Sequence, residues 1–128
     1  MAGRHGRVIR LLVANERQEV VESIARYLTQ FPHVNVVGTA HTIDDTLNCA
    51  RELRPGAVLC DYQHLKPETL ERIRGLRAEL PEACIIAMSY DAQQADEVLD
   101  AGADQFIPKF ELTRHLLVAL DRCAEPLA

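Results

Sequence analysis

The sequence predicts an α/β domain built on one parallel sheet with helices on both faces. Three observations carry that reading. Five short apolar runs recur along the chain, each is followed by a stretch of helical period, and turn residues mark the changeovers. A helix after every strand leaves no tight hairpin for antiparallel pairing, so successive strands return in parallel through crossovers.

The elements follow in order. Val8–Ala14 is the first strand, and Val20, Ile24, Tyr27 and Leu28 share one face of the helix behind it. Val34–Ala40 is the second strand. Ile43, Leu47 and Ala50 stripe the next helix, which Thr42 and Asp45 open in a capping-box spacing and Arg54-Pro55-Gly56 breaks. Ala57–Cys60 is apolar throughout, as a strand covered on both faces should be. Pro67 suits the first turn of the third helix, striped by Leu70, Ile73, Leu76 and Leu80. Cys84–Met88 is the fourth strand. Val98 and Leu99 mark a shorter helix, and Gly102 suits a left-handed position just past it. Gln105–Ile107 runs into Pro108, which cannot donate to a ladder, so this strand belongs at an edge. Leu112, Leu116 and Leu120 stripe the last helix.

With 128 residues, 48% hydrophobic and 26% charged, the chain fits one globular domain, placed over 8–124. It is flanked by a disordered basic arm over 1–7 and a short tail over 125–128. Arg4, Arg7 and Arg10 with His5 form a solvated basic start. A net charge of -5 argues against direct nucleic-acid binding, which relies on neutralising phosphates with Lys and Arg. No stretch has the length of a membrane span or a signal peptide's apolar region, so a cytoplasmic location is expected. Cys49, Cys60, Cys84 and Cys123 show neither a Cys-x-x-Cys pair nor zinc spacing. They are expected to be reduced thiols serving as small core hydrophobes.

The polar residues gather where such a sheet binds ligands, beyond the carboxyl ends of its strands. The first strand ends in Asn15-Glu16, the third at Asp61, the fourth at Ser89 and the fifth at Lys109. Each alone has a plain structural role: Glu16 a first-turn acid, Ser89 a helix N-cap, Lys109 a surface lysine. Their joint placement on one rim is what favours chemistry.

At these residues the sequence resembles the receiver domain of bacterial two-component response regulators. "LLVANERQEV" resembles the acidic-pair turn, "AVLCDYQ" the phosphoacceptor strand, "IIAMS" the switch-hydroxyl strand, and "GADQFIPKF" the strand of an aromatic followed by lysine. The resemblance runs from about Val8 through the last helix. It implies a flavodoxin-like doubly wound sheet of order 2-1-3-4-5, with 8–124 as the receiver. It further implies a signalling protein rather than an enzyme, although it would assist its own phosphorylation and dephosphorylation.

By the resemblance, Asp61 accepts a phosphoryl group from a sensor histidine kinase or phosphotransfer protein. An ordinary aspartate is ionised at neutral pH and needs no general base. Glu16, Asp61 and the backbone carbonyl of Gln63 would hold Mg²⁺, with Asn15 acting through a water. Lys109 would meet a phosphoryl oxygen. Ser89 would switch with Phe106, changing the face of the fourth helix, fifth strand and fifth helix; plain packing is the other reading of Phe106. A downstream effector or a missing output domain, and a possible homodimer, complete the implied partners.

Several residues depart from the family pattern. Asn15 replaces an acid, which should weaken Mg²⁺ affinity. "HLKPETL" replaces the usual Asp-Gly turn, with His64 a loop histidine rather than a ligand. Tyr90 follows Ser89 where small residues are usual, and its ring should partly cover Asp61. Pro108 precedes Lys109 and Phe110 follows it, an inversion of the family's lysine-proline order. These departures keep open a pseudo-receiver that docks proteins without taking phosphate. An aspartate-nucleophile phosphohydrolase needs an acid two residues after Asp61, where Gln63 stands. A flavin module is short of stacking aromatics, with three Tyr, three Phe and no Trp.

Overall fold

The structure is a computed structural model that describes residues 8–63, 65–108 and 112–124. The expected arm over 1–7, the tail over 125–128, His64, Lys109 and Phe110 lie outside the described residues.

Strands β1 (Ile9–Ala14), β2 (Val34–Ala40), β3 (Ala57–Asp61), β4 (Cys84–Ser89) and β5 (Gln105–Pro108) form one sheet. They alternate with helices α1 (Gln18–Leu28), α2 (Ile43–Leu53), α3 (Pro67–Glu79), α4 (Ala95–Ala101) and α5 (Leu112–Ala124). The sheet is parallel in the order β2-β1-β3-β4-β5, as expected, with β5 at an edge.

Side chains alternate across the sheet and sort into two cores. Leu11, Val13, Leu59, Ile86 and Met88 point to one side, where Val21, Ile24 and Leu28 of α1 and Leu116 and Leu120 of α5 cover them. Leu12, Val58, Cys60, Ile85 and Ala87 point to the other, under α2, α3 and α4 through Ala50, Ile73, Leu76 and Val98. β1, β3 and β4 are thus sandwiched, which is why they read as nearly unbroken apolar runs.

Some expected details shift. On α1 Val21 and Leu28 are fully buried, with Val20 and Tyr27 only partly covered. Leu99 is exposed while Val98 is buried. The capping role of Thr42 is seen directly: its hydroxyl accepts the Asp45 N–H at 3.0 Å. Arg54 takes the left-handed conformation past α2 (φ 48°), and Gly102 has φ 129° past α4. Arg10 is no part of a solvated arm. It stands on β1, and its guanidinium donates to the carbonyls of Leu53 and Arg54 at 2.7 and 2.8 Å, satisfying the C-terminal end of α2.

Two of the four cysteines are not the reduced thiols expected. Cys84 and Cys123 form a disulfide (S–S 2.01 Å), while Cys49 and Cys60 are free thiols. Cys84 opens β4 and Cys123 lies in the last turn of α5. The packing of α5 on the sheet brings their Cα atoms to 5.6 Å across 39 positions of sequence. No spacing motif announces a pair so far apart.

Candidate functional site

The carboxyl ends of β1, β3 and β4 meet at one rim. Asp61 is the last residue of β3 and is 1% exposed. It sits opposite Met88 in register, so Ser89, fully buried, lies one residue further along the neighbouring strand. On the other side β1 pairs with β3 up to Ala14 and Cys60, and Asn15 continues from there.

Asn15 makes the direct contact. Its amide Nδ2 donates to Asp61 Oδ2 at 2.8 Å, and its Oδ1 accepts the Arg17 backbone N–H at 2.7 Å. Both ends of the amide are engaged, which fixes its orientation with the N–H₂ toward the carboxylate. The backbone is tied as firmly. The Asn15 N–H donates to Ala40 O at 3.1 Å, and its carbonyl lies 3.3 Å from His41 Nδ1.

Glu16 turns outward from this buried pair. Its Oε2 lies 3.6 Å from Lys66 Nζ, and both side chains are about half exposed (50% and 49%). Lys66 comes from the β3–α3 loop. Its backbone is extended (φ -120°, ψ 161°), as the residue before Pro67 must be, and its N–H donates to Thr69 Oγ1 at 3.3 Å. Pro67 and Thr69 together hold the Lys66 backbone in place.

At the far side of Asp61, Ser89 Oγ accepts the Asp91 N–H at 3.2 Å. Accepting that bond leaves the serine's own O–H able to donate. Tyr62, directly after Asp61, is 2% exposed and belongs to the core beneath α4. Its phenol faces Ser89 without reaching hydrogen-bond geometry, and burial pushes it up to about 12. The Cys60 thiol before Asp61 is also pushed up to about 12 by burial, partly offset by the charge of Arg72. Arg72 is itself buried and donates to the His41 carbonyl at 3.5 Å. Tyr90 is 56% exposed, and Phe106 is partly buried against the core under α2, α3 and α4.

The structure therefore brings Asn15, Asp61 and Ser89 to one rim, with Glu16 beside Asn15 and Gln63 two residues past Asp61. Lys109 lies outside the described residues. Lys66, Tyr62, His41 and Arg72 stand in the sequence without an expected role. Lys66 had a local signal, its place before a helix-opening proline, but its partner across the rim had none.

Among the described residues no three His, Cys, Asp or Glu side chains gather in a metal-holding group. Mg²⁺ does not ask for one: it takes hard oxygen donors, one or two carboxylates and several waters. Asp61, Glu16 and the Gln63 carbonyl are donors of that kind, and Asp61 is already seated at the rim, so the residues present fit the ion.

A five-stranded parallel sheet of this order, with a buried aspartate ending its central strand, defines a class that comparison with known proteins identifies. The family model described as the response regulator receiver domain matches residues 11–121. The chain belongs to that family.

Among relatives, response regulator GacA of Pseudomonas viridiflava is 31% identical over 104 residues, covering 80% of this chain and 49% of its own length. The transcriptional regulatory protein MctR of Rhizobium johnstonii is 29% identical over 119 residues, covering 91% and 55%. A protein-glutamate methylesterase/protein-glutamine glutaminase of Saccharophagus degradans is 27% identical over 123 residues, covering 92% and 34%. The chain thus spans only a third to about half of these relatives. Among solved structures, the response regulator domain of Thermotoga maritima CheB superposes with a TM-score of 0.76 at 24% identity, covering 92% of this chain and 96% of that one. The receiver domain of NarL from Mycobacterium tuberculosis gives 0.77 at 23%, covering 92% and 97%. No described helix is long and apolar enough to cross a membrane.

Proposed function

We propose that this chain is a phosphorylation-switched receiver whose phosphoacceptor is Asp61, the receiver unit spanning 8–124. The observation that carries the reading is a buried carboxylate at the end of the central strand, gripped by Asn15 on one side and followed across the rim by the Ser89 hydroxyl. An Asp61 oxygen attacks the phosphorus of a phosphohistidine on a sensor kinase or phosphotransfer protein. The new O–P bond forms as the P–N bond breaks, and the imidazole nitrogen keeps the bonding pair.

Asp61, Glu16 and the Gln63 carbonyl would hold Mg²⁺, which would supply charge neutralisation. The Asn15 amide orients the carboxylate, and Lys109 brings a further positive charge to the phosphoryl oxygens. Ser89 then donates to a phosphoryl oxygen, drawing its loop inward, and Phe106 repacks with it. The population shifts toward a second arrangement of the face made by α4, β5 and α5. That face would address an effector protein, an output domain or a second copy, in the cytoplasm.

A second reading has its own support. Asn15 and Lys66 already answer both carboxylates from within the chain, as a phosphorylation-independent docking module would require. Intact-protein mass spectrometry after incubation with acetyl phosphate and Mg²⁺ separates the two. The receiver reading expects the mass gain of one phosphoryl group, absent in Asp61→Asn. No gain, or a gain that survives Asp61→Asn, overturns it and leaves the docking module.

A further inference from the structure

We propose that Lys66 is an internal counter-cation of this site, competing with a divalent cation for Glu16 and so setting the magnesium concentration at which the site fills. The inference rests on the receiver reading for its purpose but on the ion pair for its evidence.

Asp61 and Glu16 bring two carboxylates, and Asn15 brings none. Lys66 Nζ, 3.6 Å from Glu16 Oε2, returns one positive charge to the same rim. Lys66 therefore offsets the charge of Glu16 at the carboxylate an arriving ion would use.

Placement makes the competition specific. Asn15 is anchored at both ends of its amide, so Glu16, the next residue, leaves a fixed backbone position. Lys66 leaves another, held by Pro67 and by Thr69 Oγ1. Two long side chains from fixed roots meet on one carboxylate. A cation that takes Glu16 as a ligand must displace the ammonium or share the oxygens with it.

Because the pair is half exposed, water and salt screen it, and the ammonium swings clear at modest cost. Lys66 thus tunes affinity without blocking the site. Its long aliphatic stem carries the charge into solvent when the ion arrives, whereas a buried lysine would have to stay or deprotonate.

The test is a Mg²⁺ titration of the full chain, followed by amide chemical shifts around Ala14–Arg17 and Asp61, for wild type and variants. Lys66→Gln should tighten the apparent Kd about 3- to 10-fold at low salt. The gain should shrink as ionic strength rises. Lys66→Arg, which keeps the charge, should stay near wild type. In a Glu16→Gln background the effect of Lys66→Gln should largely vanish. An unchanged or weakened Kd in Lys66→Gln overturns the proposal, as does an equal gain without Glu16 or no measurable binding in any variant. Acetyl phosphate labelling at saturating Mg²⁺ keeps the two readings apart. Labelling of Asp61 without the affinity shift sinks the Lys66 proposal alone. The shift without labelling sinks the receiver reading alone.

Discussion

Cys60 and Tyr62 flank Asp61 along the chain, and both sit in the apolar layer under α2, α3 and α4. Burial raises the thiol from 9.0 and the phenol from 10.0, each to about 12. In both cases the folded state holds its proton more tightly than the unfolded chain does. The stability this represents is complete below the unfolded values and is lost as pH climbs through the folded ones. Thermal stability should therefore fall from about pH 9 toward about pH 12. The double variant Cys60→Ala/Tyr62→Phe should show a shallower fall over that window. Melting curves by circular dichroism across the range decide it, and an equal slope in the two proteins would remove these residues from the account.

At the scale of elements, α4 is the unusual member, only seven residues long and with a three-residue 3-10 turn (Ala92–Gln94) before it. Its C-terminal end is pinned by Arg77 of α3. That guanidinium donates to Gly102 O from Nε and Nη2 at 3.1 and 2.9 Å, and to the carbonyls of Leu80, Pro81 and Ala83. It also pairs with Asp104, whose Oδ2 accepts the Ile85 N–H at 2.7 Å. Gly102 has no room to change, since a Cβ there would come within 2.9 Å of Arg77 Cβ. Arg77→Met keeps most of the stem and removes every one of these donors. It should cost about 2–3 kcal/mol, read as a lower midpoint in urea unfolding. A midpoint within error of wild type would show the hub to be ornamental.

Most of this element level was legible in the sequence. Strand–helix alternation, the apolar stripes and the Pro108 edge signal all derive from local periodicity and backbone chemistry. So did Asn15, Asp61 and Ser89, because strand ends can be read directly. Arg77 and Lys66 were not legible, because a long charged side chain near the surface looks solvated until the carbonyls or carboxylates it reaches are placed. Val21 displaced Val20 for a related reason: at 3.6 residues per turn, adjacent valines straddle the face, and packing chooses between them.

For the molecule as a whole, the disulfide and the site stand at opposite ends of β4. Cys84 begins the strand and Ser89 ends it, so the cross-link lies roughly 17 Å from the switch hydroxyl at the ordinary strand rise. The bond joins β4 to the last turn of α5 across 39 positions, and the segment it closes contains α4, β5 and α5. Closing a loop of that size restricts the unfolded chain and should stabilise the fold by about 2–4 kcal/mol. Reducing surroundings keep such pairs as thiols, so the oxidised form belongs to conditions that permit it. The distance along β4 separates the two consequences. Reduction by dithiothreitol, or Cys123→Ser, should lower the urea midpoint while leaving the rate of Asp61 labelling by acetyl phosphate within about twofold, since the rim contacts at Asn15, Asp61 and Ser89 lie at the other end of the sheet. Unfolding curves and labelling time courses on the same oxidised and reduced samples measure both. An unchanged midpoint would mean that α5 packing alone holds the two cysteines together. A labelling rate that moved with the thiols would mean that the base of α5 and the phosphoacceptor rim are coupled through β4.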